Sequence, residues 1–324
     1  MKILITGGAG FIGSHLSEKL LQDGHKVTVI DNLSTGQLEN ISNFKDHPDF
    51  ELVVGSVLEE NLIRKKTKGK DRIYHLAAAV GVQNIIDQPL ESIEVNVDGT
   101  QNVLRAANRE KIPTFIASTS EVYGKNENIP FEETDDRVTG STTISRWSYS
   151  CTKALDEFLS IAYWREKQLP VVIARFFNTV GPRQTGQYGM VIPRFVKQAL
   201  LGRPLTVYGD GQQTRVFLDV ADAVKAARGL MDTEEAYGQP VNIGGNDRIS
   251  IEQLAENIID VVGSDSSIEY IPYDEAYEKG FEDMRHRQPD VSRLRKLVGF
   301  DQQYSTKEIL QRVVDYFRSN EDFP

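Results

Sequence analysis

The amino-acid sequence predicts an α/β fold, in which a doubly wound parallel sheet is followed by a smaller mixed α/β domain. Six apolar runs rich in β-branched residues alternate with stretches of helical periodicity. Such alternation is typical of parallel strands covered by helices on both faces. A glycine-rich turn follows the first run directly. The predicted strands are residues 2–6, 26–30, 50–54, 72–76, 113–118 and 170–175.

The second half of the chain has a different pattern. Residues 191–202 and 250–263 have helical periodicity, whereas residues 241–245 are predicted to form a strand. The glycine-rich segment 185–193 has little apolar content to pack, which predicts either a mobile lid or a surface loop. We therefore expect a smaller mixed domain that covers the sheet and closes around a substrate.

The boundary between the two predicted domains lies near residue 178. Residues 1–178 would form the sheet domain and residues 179–324 the substrate-binding domain, with segment 215–245 returning to the first domain. Right-handed crossovers place the ligand crevice of such a sheet at the carboxyl ends of its strands. Residues that directly follow the strands are therefore the first candidates for function.

Composition excludes several classes of function. A net charge of −10 and a pI near 5.2 argue against a nucleic-acid partner. The chain has no run of about 18 apolar residues, so we expect no membrane span, and its short apolar start does not predict a signal peptide. The single cysteine, Cys151, excludes an intrachain disulfide and favours a cytoplasmic location. Five scattered histidines predict no metal site.

The glycine-rich turn predicts a Rossmann-type dinucleotide site. Its sequence, "GGAGFIG", places Gly7, Gly10 and Gly13 between the first strand and a helix, where glycines allow a tight turn and close approach of a pyrophosphate to the helix amino terminus. Asp31 ends the second strand and would accept bonds from the adenosine ribose hydroxyls, so NAD is preferred over NADP. The predicted cofactor-binding residues are Gly7, Gly10, Phe11, Ile12, Gly13, Asp31, Asn32, Ser34, Thr35, Gly36, Ser56, Val57, Leu76, Ala77, Ala78, Tyr149 and Lys153.

A Tyr-x-x-x-Lys spacing occurs twice within a few turns, as Tyr149 with Lys153 and as Tyr163 with Lys167. In a right-handed β-α-β unit the helix begins near the carboxyl end of the preceding strand, so Tyr149 would lie at the crevice. Tyr163 would lie roughly 21 Å further along the helix, at about 1.5 Å per residue. We therefore predict that Tyr149 and Lys153 are catalytic and that the second pair serves packing and surface.

The strand that ends at residue 118 continues into "STSEVYG", which brings Thr119, Ser120 and Glu121 to the same crevice. A hydroxyl, a tyrosine and a lysine beside a nicotinamide suit removal of a hydride from a carbinol carbon. Tyr149 would take the hydroxyl proton and Thr119 would hold the oxygen. Because a free tyrosine has a pKa of about 10, the charges of Lys153 and oxidised nicotinamide are expected to favour the phenolate.

The motifs "GGAGFIG", "STSEVYG", "YSCTK", "RFFNTVGPRQ" and "YGDGQQTRVFLDVADAV" together resemble the extended short-chain dehydrogenase/reductase family of nucleotide-sugar epimerases, dehydratases and decarboxylases. The resemblance runs over nearly the whole chain, to "HRQPD" at 286–290. It implies a tightly held NAD, a nucleoside-diphosphate sugar as substrate, and a homodimer formed by helices near 92–110 and 150–168. It also implies substrate contacts from Ser120, Asn178, Arg183, Val191, Arg215 and Arg287, the last two at the diphosphate.

The sequence departs from this family pattern in one place. The family often has Gly-Asp after the third strand, with the aspartate near the adenine, whereas this chain has "GSVLE" and therefore Ser56. The departure affects the predicted adenine contact and leaves the predicted cofactor unchanged.

Enzymes of the family that this chain resembles oxidise C4 of the sugar and differ in the fate of the 4-keto sugar. The dehydratases have an Asp-Glu pair after the threonine, but this chain has Ser120 and Glu121, which argues against dehydration. The segments 75–82 and 95–104 are more similar to 4-epimerases, whereas "TSEVYG" and "HRQPD" are more similar to UDP-glucuronate decarboxylases.

We favour the 4-epimerase, acting on a UDP-hexose or UDP-hexuronate, because its chemistry needs fewer specialised groups. Glu121 favours the decarboxylase, because a carboxylate beside a uronate would encourage loss of carbon dioxide; the alternative for Glu121 is a solvated or amide-bound carboxylate. A non-catalytic NAD(H)-sensing protein is a third hypothesis, and the presence of Tyr149, Lys153 and Thr119 together argues against it.

Overall fold

The computed structural model describes residues 1–81, 88–186, 190–272, 275 and 284–319. Strands and helices of these residues are numbered in chain order. The strands are β1 Lys2–Thr6, β2 Lys26–Asp31, β3 Phe50–Val54, β4 Arg72–His75, β5 Thr114–Thr119, β6 Val171–Phe176, β7 Thr179–Val180, β8 Leu205–Tyr208, β9 Thr214–Val216, β10 Leu218–Asp219, β11 Pro240–Ile243, β12 Arg248–Ser250 and β13 Ile268–Ile271. The helices are α1 Phe11–Gln22, α2 Glu60–Thr67, α3 Pro89–Glu110, α4 Arg146–Lys167, α5 Val191–Leu200, α6 Val220–Met231, α7 Ile251–Val262, α8 Ser292–Val298 and α9 Thr306–Ser319.

The main sheet has seven strands in the order β3-β2-β1-β4-β5-β6-β11, and all of its described pairings are parallel. The predicted doubly wound sheet is thereby confirmed. β11 joins the six strands predicted in the first half of the chain, and it contains most of the strand predicted at 241–245. The strand order reverses between β1 and β4, so the switch point that receives a ligand in such sheets lies at the carboxyl ends of these two strands.

Apolar side chains cover both faces of this sheet. Ile5 and Phe115 belong to the core on one face, and Leu4 and Ile116 belong to the core on the other, as the two-residue alternation of a strand requires. α3 and α4 pack against each other. α4 begins at Arg146, so Tyr149 lies in its first turn, where the right-handed crossover from β5 enters the helix.

A second core lies in the carboxyl-terminal half, where Phe195, Val207, Leu254 and Leu310 pack together. Segment Leu218 to Ile243 packs instead into the core of the main sheet. Phe217, by contrast, belongs to the second core. The division at residue 178 and the return of segment 215–245 to the first domain both stay predictions. Val291, Leu294 and Phe300 also join the first core, a second return that the sequence pattern did not indicate.

The segment that contains "HRQPD" runs between strand β9 and the loop that contains Phe131. His286 bridges to Thr214 in β9, and Pro289 bridges to Phe131. This course brings Arg287 to the carboxyl edge of the sheet. The segment predicted as a lid, 185–193, includes residues 187–189, which lie outside the described residues, and α5 begins at Val191.

Candidate active site

A cleft of about 560 Å³ opens at the carboxyl ends of the central strands. It is lined by both the glycine-rich turn and the residues that follow β5, so the predicted cofactor and substrate sites share one space. Two predicted residues do not line it: Gly36 lies against the Asp31 carboxylate, and Lys153 is buried behind the surface. The predicted residues that line it are Gly7, Gly10, Phe11, Ile12, Gly13, Asp31, Asn32, Ser34, Thr35, Ser56, Val57, Leu76, Ala77, Ala78, Thr119, Ser120, Glu121, Tyr149, Asn178, Arg183, Val191, Arg215 and Arg287.

The glycine-rich turn is packed so closely that side chains cannot be added. A Cβ on Gly13 would lie 2.1 Å from the Gly7 carbonyl oxygen, and a Cβ on Gly7 would lie 2.6 Å from the Ala77 backbone nitrogen. Gly7 also has a φ of +75°, which favours glycine. No side chain caps the amino terminus of α1. Its first backbone N–H groups therefore suit a pyrophosphate, and the cradle fits the predicted dinucleotide.

Asp31 is held in one orientation by backbone groups. Its Oδ2 accepts a hydrogen bond from the Ala9 N–H at 2.9 Å, and its Oδ1 accepts one from the Leu33 N–H at 2.9 Å. Each carboxylate oxygen retains a further lone pair that can accept a ribose hydroxyl. Ser56, at the position of the departure from the family pattern, accepts a hydrogen bond from the Leu58 N–H at 3.2 Å through its own hydroxyl and thus shapes the turn before α2.

Tyr149 and Thr119 both line the cleft, and the Thr119 side chain lies close enough to Tyr149 to influence its pKa. Thr119 accepts a bond from the Glu121 N–H at 3.2 Å, which fixes its side chain at the start of the turn after β5. Burial raises the pKa of Tyr149, the negative charge of Glu121 raises it further, and the Thr119 side chain acts in the opposite direction. The proximity of the two hydroxyl groups suits a proton acceptor and a group that holds the same oxygen.

Lys153 is paired with an acidic side chain of its own helix. Its Nζ donates to Asp156 Oδ2 at 2.8 Å, and both side chains are buried. The negative charge of Asp156 contributes to the raised pKa of Tyr149, which lies one helical turn before Lys153. The expected role of Lys153 and oxidised nicotinamide in favouring the phenolate stays a prediction.

Glu121 lies between two arginines. Arg287 Nη2 is 2.6 Å from Glu121 Oε1, and Arg146 Nη2 is 3.4 Å from Glu121 Oε2. Glu121 is therefore an ion-paired carboxylate. Arg287, assigned to a diphosphate by resemblance, contacts this carboxylate in the structure. Glu121 and both arginines line the same cleft as Tyr149.

Arg146 lines the cleft and was not among the predicted site residues. Its side chain is 6% exposed and lies over the Trp147 ring at 5.7 Å. Arg146 lies three residues before Tyr149 in the first turn of the helix, and this position could have indicated that it lines the cleft. Arg194, Tyr208 and Gln213 also line the cleft and were not among the predicted site residues, although Tyr208 and Gln213 lie within one of the quoted motifs.

The remaining predicted substrate residues lie on the carboxyl-terminal side of the cleft. Asn178 Nδ2 donates to the Val216 carbonyl at 2.9 Å, and Arg215 Nη1 donates to the Thr214 carbonyl at 2.9 Å. Arg183 pairs with Glu18 of α1, which joins this side of the cleft to the glycine-turn helix. By contrast, Tyr163 packs against the core of the main sheet and Lys167 is exposed, as predicted for the second Tyr-x-x-x-Lys pair.

The sequence predicts neither a metal site nor a membrane-spanning helix. The described residues contain no cluster of histidine, cysteine, aspartate or glutamate side chains that could hold a metal ion. None of the helices that they form has the length and apolar character that crossing a membrane requires. Cys151 is exposed on α4, and the cytoplasmic location stays a prediction.

Comparison with known proteins places this site among enzymes of sugar nucleotides. One relative is the UDP-N-acetyl-alpha-D-glucosaminuronate decarboxylase of Bacillus cytotoxicus, 42% identical over 99% of this chain and 99% of its own length. Another is UDP-glucuronic acid decarboxylase 1 of Xenopus tropicalis, 38% identical over 98% of this chain and 72% of its own length. A solved UDP-glucuronic acid 4-epimerase from Bacillus cereus, in complex with UDP-glucuronic acid and NAD, superposes with a TM-score of 0.88 at 29% identity, over 98% of this chain and 99% of that one.

The family model described as GDP-mannose 4,6 dehydratase matches residues 4–313. The match covers nearly the whole chain and includes the glycine-rich turn, Thr119, Tyr149, Lys153 and Arg287. The chain therefore belongs to the GDP-mannose 4,6-dehydratase family of extended short-chain dehydrogenases/reductases, whose members in these comparisons include both decarboxylases and epimerases of UDP-sugars.

Proposed function

We propose that the chain is an NAD-dependent decarboxylase that converts a UDP-hexuronate into a UDP-pentose and carbon dioxide. The observation that carries this proposal is Glu121 held between Arg146 and Arg287 beside Tyr149. The two decarboxylase relatives, at 42% and 38% identity, support the same reaction. The order of preference drawn from the motifs alone, in which the 4-epimerase came first, is thus reversed.

NAD fits the cofactor part of the cleft. The glycine cradle would receive the pyrophosphate at the start of α1, and Asp31 would accept the adenosine ribose hydroxyls. When bound, NAD would take a hydride from C4 of the sugar and later return it. The Asp31 carboxylate would repel a 2′-phosphate, so we expect NAD rather than NADP.

Tyr149 and Thr119 would act on the C4 hydroxyl. Thr119 holds the oxygen, and Tyr149 accepts its proton as the hydride leaves C4, which makes the 4-ketone. The C5 carboxylate is then that of a β-keto acid. Its C5–C6 bond breaks, carbon dioxide leaves, and the electron pair passes to the 4-keto oxygen as an enolate. A proton from solvent water adds at C5, the hydride returns to C4, and Tyr149 gives its proton back to the C4 oxygen.

The charges around Glu121 suit a substrate that carries a carboxylate. Arg146 and Arg287 would attract a uronate, whose charge a neutral hexose lacks, because guanidinium groups pair well with carboxylates. Glu121 would lie close to that carboxylate and disfavour its negative charge. Loss of neutral carbon dioxide relieves this repulsion, so the arrangement favours decarboxylation after the 4-ketone has formed.

The 4-epimerase remains the second candidate. The solved epimerases among the comparisons act on the same class of sugar nucleotide, and one is described with UDP-glucuronic acid bound. A 4-epimerase would also use Tyr149 and Thr119, and would return the hydride to the opposite face of C4. It would have no use for repulsion between Glu121 and a substrate carboxylate, and this difference separates the two reactions.

The deciding experiment is incubation of the purified enzyme with UDP-glucuronate and, separately, UDP-N-acetylglucosaminuronate, with products read by proton NMR and released carbon dioxide measured. UDP-glucose, which has no carboxylate, is the control substrate. A UDP-pentose with carbon dioxide supports the proposal, and the better of the two uronates identifies the substrate. A C4-inverted product that retains every carbon would establish the epimerase and overturn the proposal.

We further propose that the chain forms a homodimer through α3 and α4. Leu90 and Ile93 of α3 and Leu155 and Phe158 of α4 are large apolar residues that are exposed in the single chain, Leu90 and Phe158 by more than 60%. Apolar surface of this kind is usually covered by a partner. Wild-type protein should elute at the dimer mass in light scattering and Phe158→Asp should shift toward the monomer; a monomeric wild type would contradict the proposal.

A further inference from the structure

A set of buried polar side chains lies behind the cleft. Glu157 and Arg175 are each 5% exposed, and Tyr123 and Asn242 are fully buried. None of these four residues lines the cleft. They are called the buried network below, and no step of the proposed reaction uses them.

The buried network is continuous. Arg175 donates two bonds to the Glu157 carboxylate, at 2.9 and 2.7 Å, and a third to the Tyr123 hydroxyl at 2.9 Å. The Tyr123 hydroxyl in turn donates to Asn242 Oδ1 at 2.7 Å. Each member therefore has its place fixed by its neighbours, and the hydroxyl of Tyr123 joins the ionic half of the network to the amide half.

Its two ends reach the parts of the chain that carry the reacting groups. Glu157 lies eight residues after Tyr149 on α4, so the two share one face of the helix. Tyr123 ends the short helix Ser120–Tyr123, which contains Glu121. Asn242 Nδ2 donates to the Asp290 carbonyl at 3.1 Å, three residues after Arg287.

A second contact fixes the same segment. Asn242 Nδ2 also donates to the Phe131 carbonyl at 2.9 Å, and the Phe131 N–H donates to the Gln288 carbonyl at 2.7 Å. Asn242 thus holds the segment of Arg287 on one side and, through Tyr123, the short helix of Glu121 on the other. Asn242 is therefore the side chain of the buried network that connects the segment of Arg287 with the short helix of Glu121.

Stability alone does not account for these groups. Apolar side chains of similar volume can often replace a buried ion pair without loss of stability, because removing two charges from water is costly. A satisfied network does, however, define a single arrangement of the elements that it joins. We propose that the buried network is a positioning device, and that Tyr123 and Asn242 are positioning residues that hold Glu121 against Arg287 at a fixed place relative to Tyr149.

The kinetic form of this proposal rests on the proposed decarboxylation. In Tyr123→Phe, oxidation at C4 should continue because Tyr149 and Thr119 are unchanged, whereas loss of carbon dioxide should slow by about tenfold or more, as expected for a misplaced catalytic group. The enzyme should then accumulate reduced nicotinamide during turnover, visible in its near-ultraviolet absorbance, with a nearly unchanged KM. A parallel decline of both steps would indicate general structural damage and overturn the proposal.

The control is Tyr74→Phe. Tyr74 is also a buried tyrosine with an arginine, Arg72, near its hydroxyl, but it does not line the cleft. It should lose similar stability without any accumulation of reduced nicotinamide. Asn242→Ala, which removes the amide that holds the segment of Arg287, should behave as Tyr123→Phe does.

Crystal structures of Tyr123→Phe and Tyr74→Phe separate this proposal from the proposed function. The Glu121–Arg287 ion pair should be lost in Tyr123→Phe and retained in Tyr74→Phe, whatever the reaction. If wild type releases no carbon dioxide, the decarboxylase proposal fails and these structures still decide the positioning role. An intact ion pair in Tyr123→Phe would overturn it.

Discussion

At the scale of single residues, the site separates two tyrosines with the same sequence context. Tyr149 lines the cleft together with Thr119, whereas Tyr163 packs against the core of the sheet. The distinction followed from the position of each tyrosine along one helix. Glu121 is the opposite case, because its role depends on arginines from distant parts of the chain.

Replacing Tyr149 by phenylalanine removes the group that accepts the C4 proton. We expect Tyr149→Phe to lower kcat by about 10³-fold, within the usual range for general acid–base catalysis. The affinity for the sugar nucleotide should change little. Tyr163→Phe is the matched control from the same helix and should retain full turnover in the NMR assay. Equal losses in the two variants would contradict the assignment of Tyr149.

Replacing Glu121 by glutamine should change the pH dependence of the oxidation step. Burial raises the pKa of Tyr149, and the negative charge of Glu121 adds to the rise. Removing that charge lowers the pKa of Tyr149, so the phenolate forms at lower pH. The pH profile of nicotinamide reduction in a single turnover of Glu121→Gln should shift toward lower pH. A shift toward higher pH would show that the two groups do not interact as described.

At the scale of elements, the glycine-rich turn and α1 form the most constrained part of the site. Three elements meet there without room for a side chain, since the turn contacts both the start of α1 and the residues that follow β4. This constraint explains why the motif could be recognised from sequence: glycine is required at defined positions by close backbone contact. The arrangement around Glu121 imposes no such requirement.

Gly13→Ala tests this constraint. The new Cβ would lie 2.1 Å from the Gly7 carbonyl oxygen, so the turn must open and α1 must move away from it. We expect loss of NAD binding by about tenfold or more, measured by calorimetry on protein freed of cofactor. Gln22→Ala, at an exposed position in the last turn of α1, is the control and should bind NAD normally. Normal binding by Gly13→Ala would contradict the proposed cradle.

At the scale of the whole molecule, the sequence predicted the main sheet well. It predicted poorly which distant segments of the chain contact one another. Six strands and the helix that carries Tyr149 could be recognised because apolar periodicity and turn residues are local signals. The packing of Val291, Leu294 and Phe300 into the first core, and the contacts of Glu121 with Arg146 and Arg287, depend on which distant segments meet. The charge or hydrophobicity of one residue does not identify the distant residue that it contacts.

Acid sensitivity of the whole fold follows from a buried histidine. His75 is 1% exposed, and burial lowers its pKa from 6.5 to about 3, with the charge of Lys153 acting in the same direction. Its ring nitrogens bond to Thr6 and Thr100 at 2.7 and 3.0 Å. Between these two pKa values the unfolded chain binds a proton that the folded chain does not, so the free energy of unfolding falls as pH falls, by about 1.4 kcal/mol per pH unit.

In His75→Gln the unfolded chain no longer binds the proton that His75 takes up. Its free energy of unfolding should therefore fall less steeply than that of wild type between pH 6 and pH 4, as measured by urea denaturation across roughly that range. The exposed His47→Gln is the control and should follow wild type. If His75→Gln keeps the full wild-type slope, the acid sensitivity must arise elsewhere, and His15, whose pKa burial lowers to about 4, becomes the next group to replace.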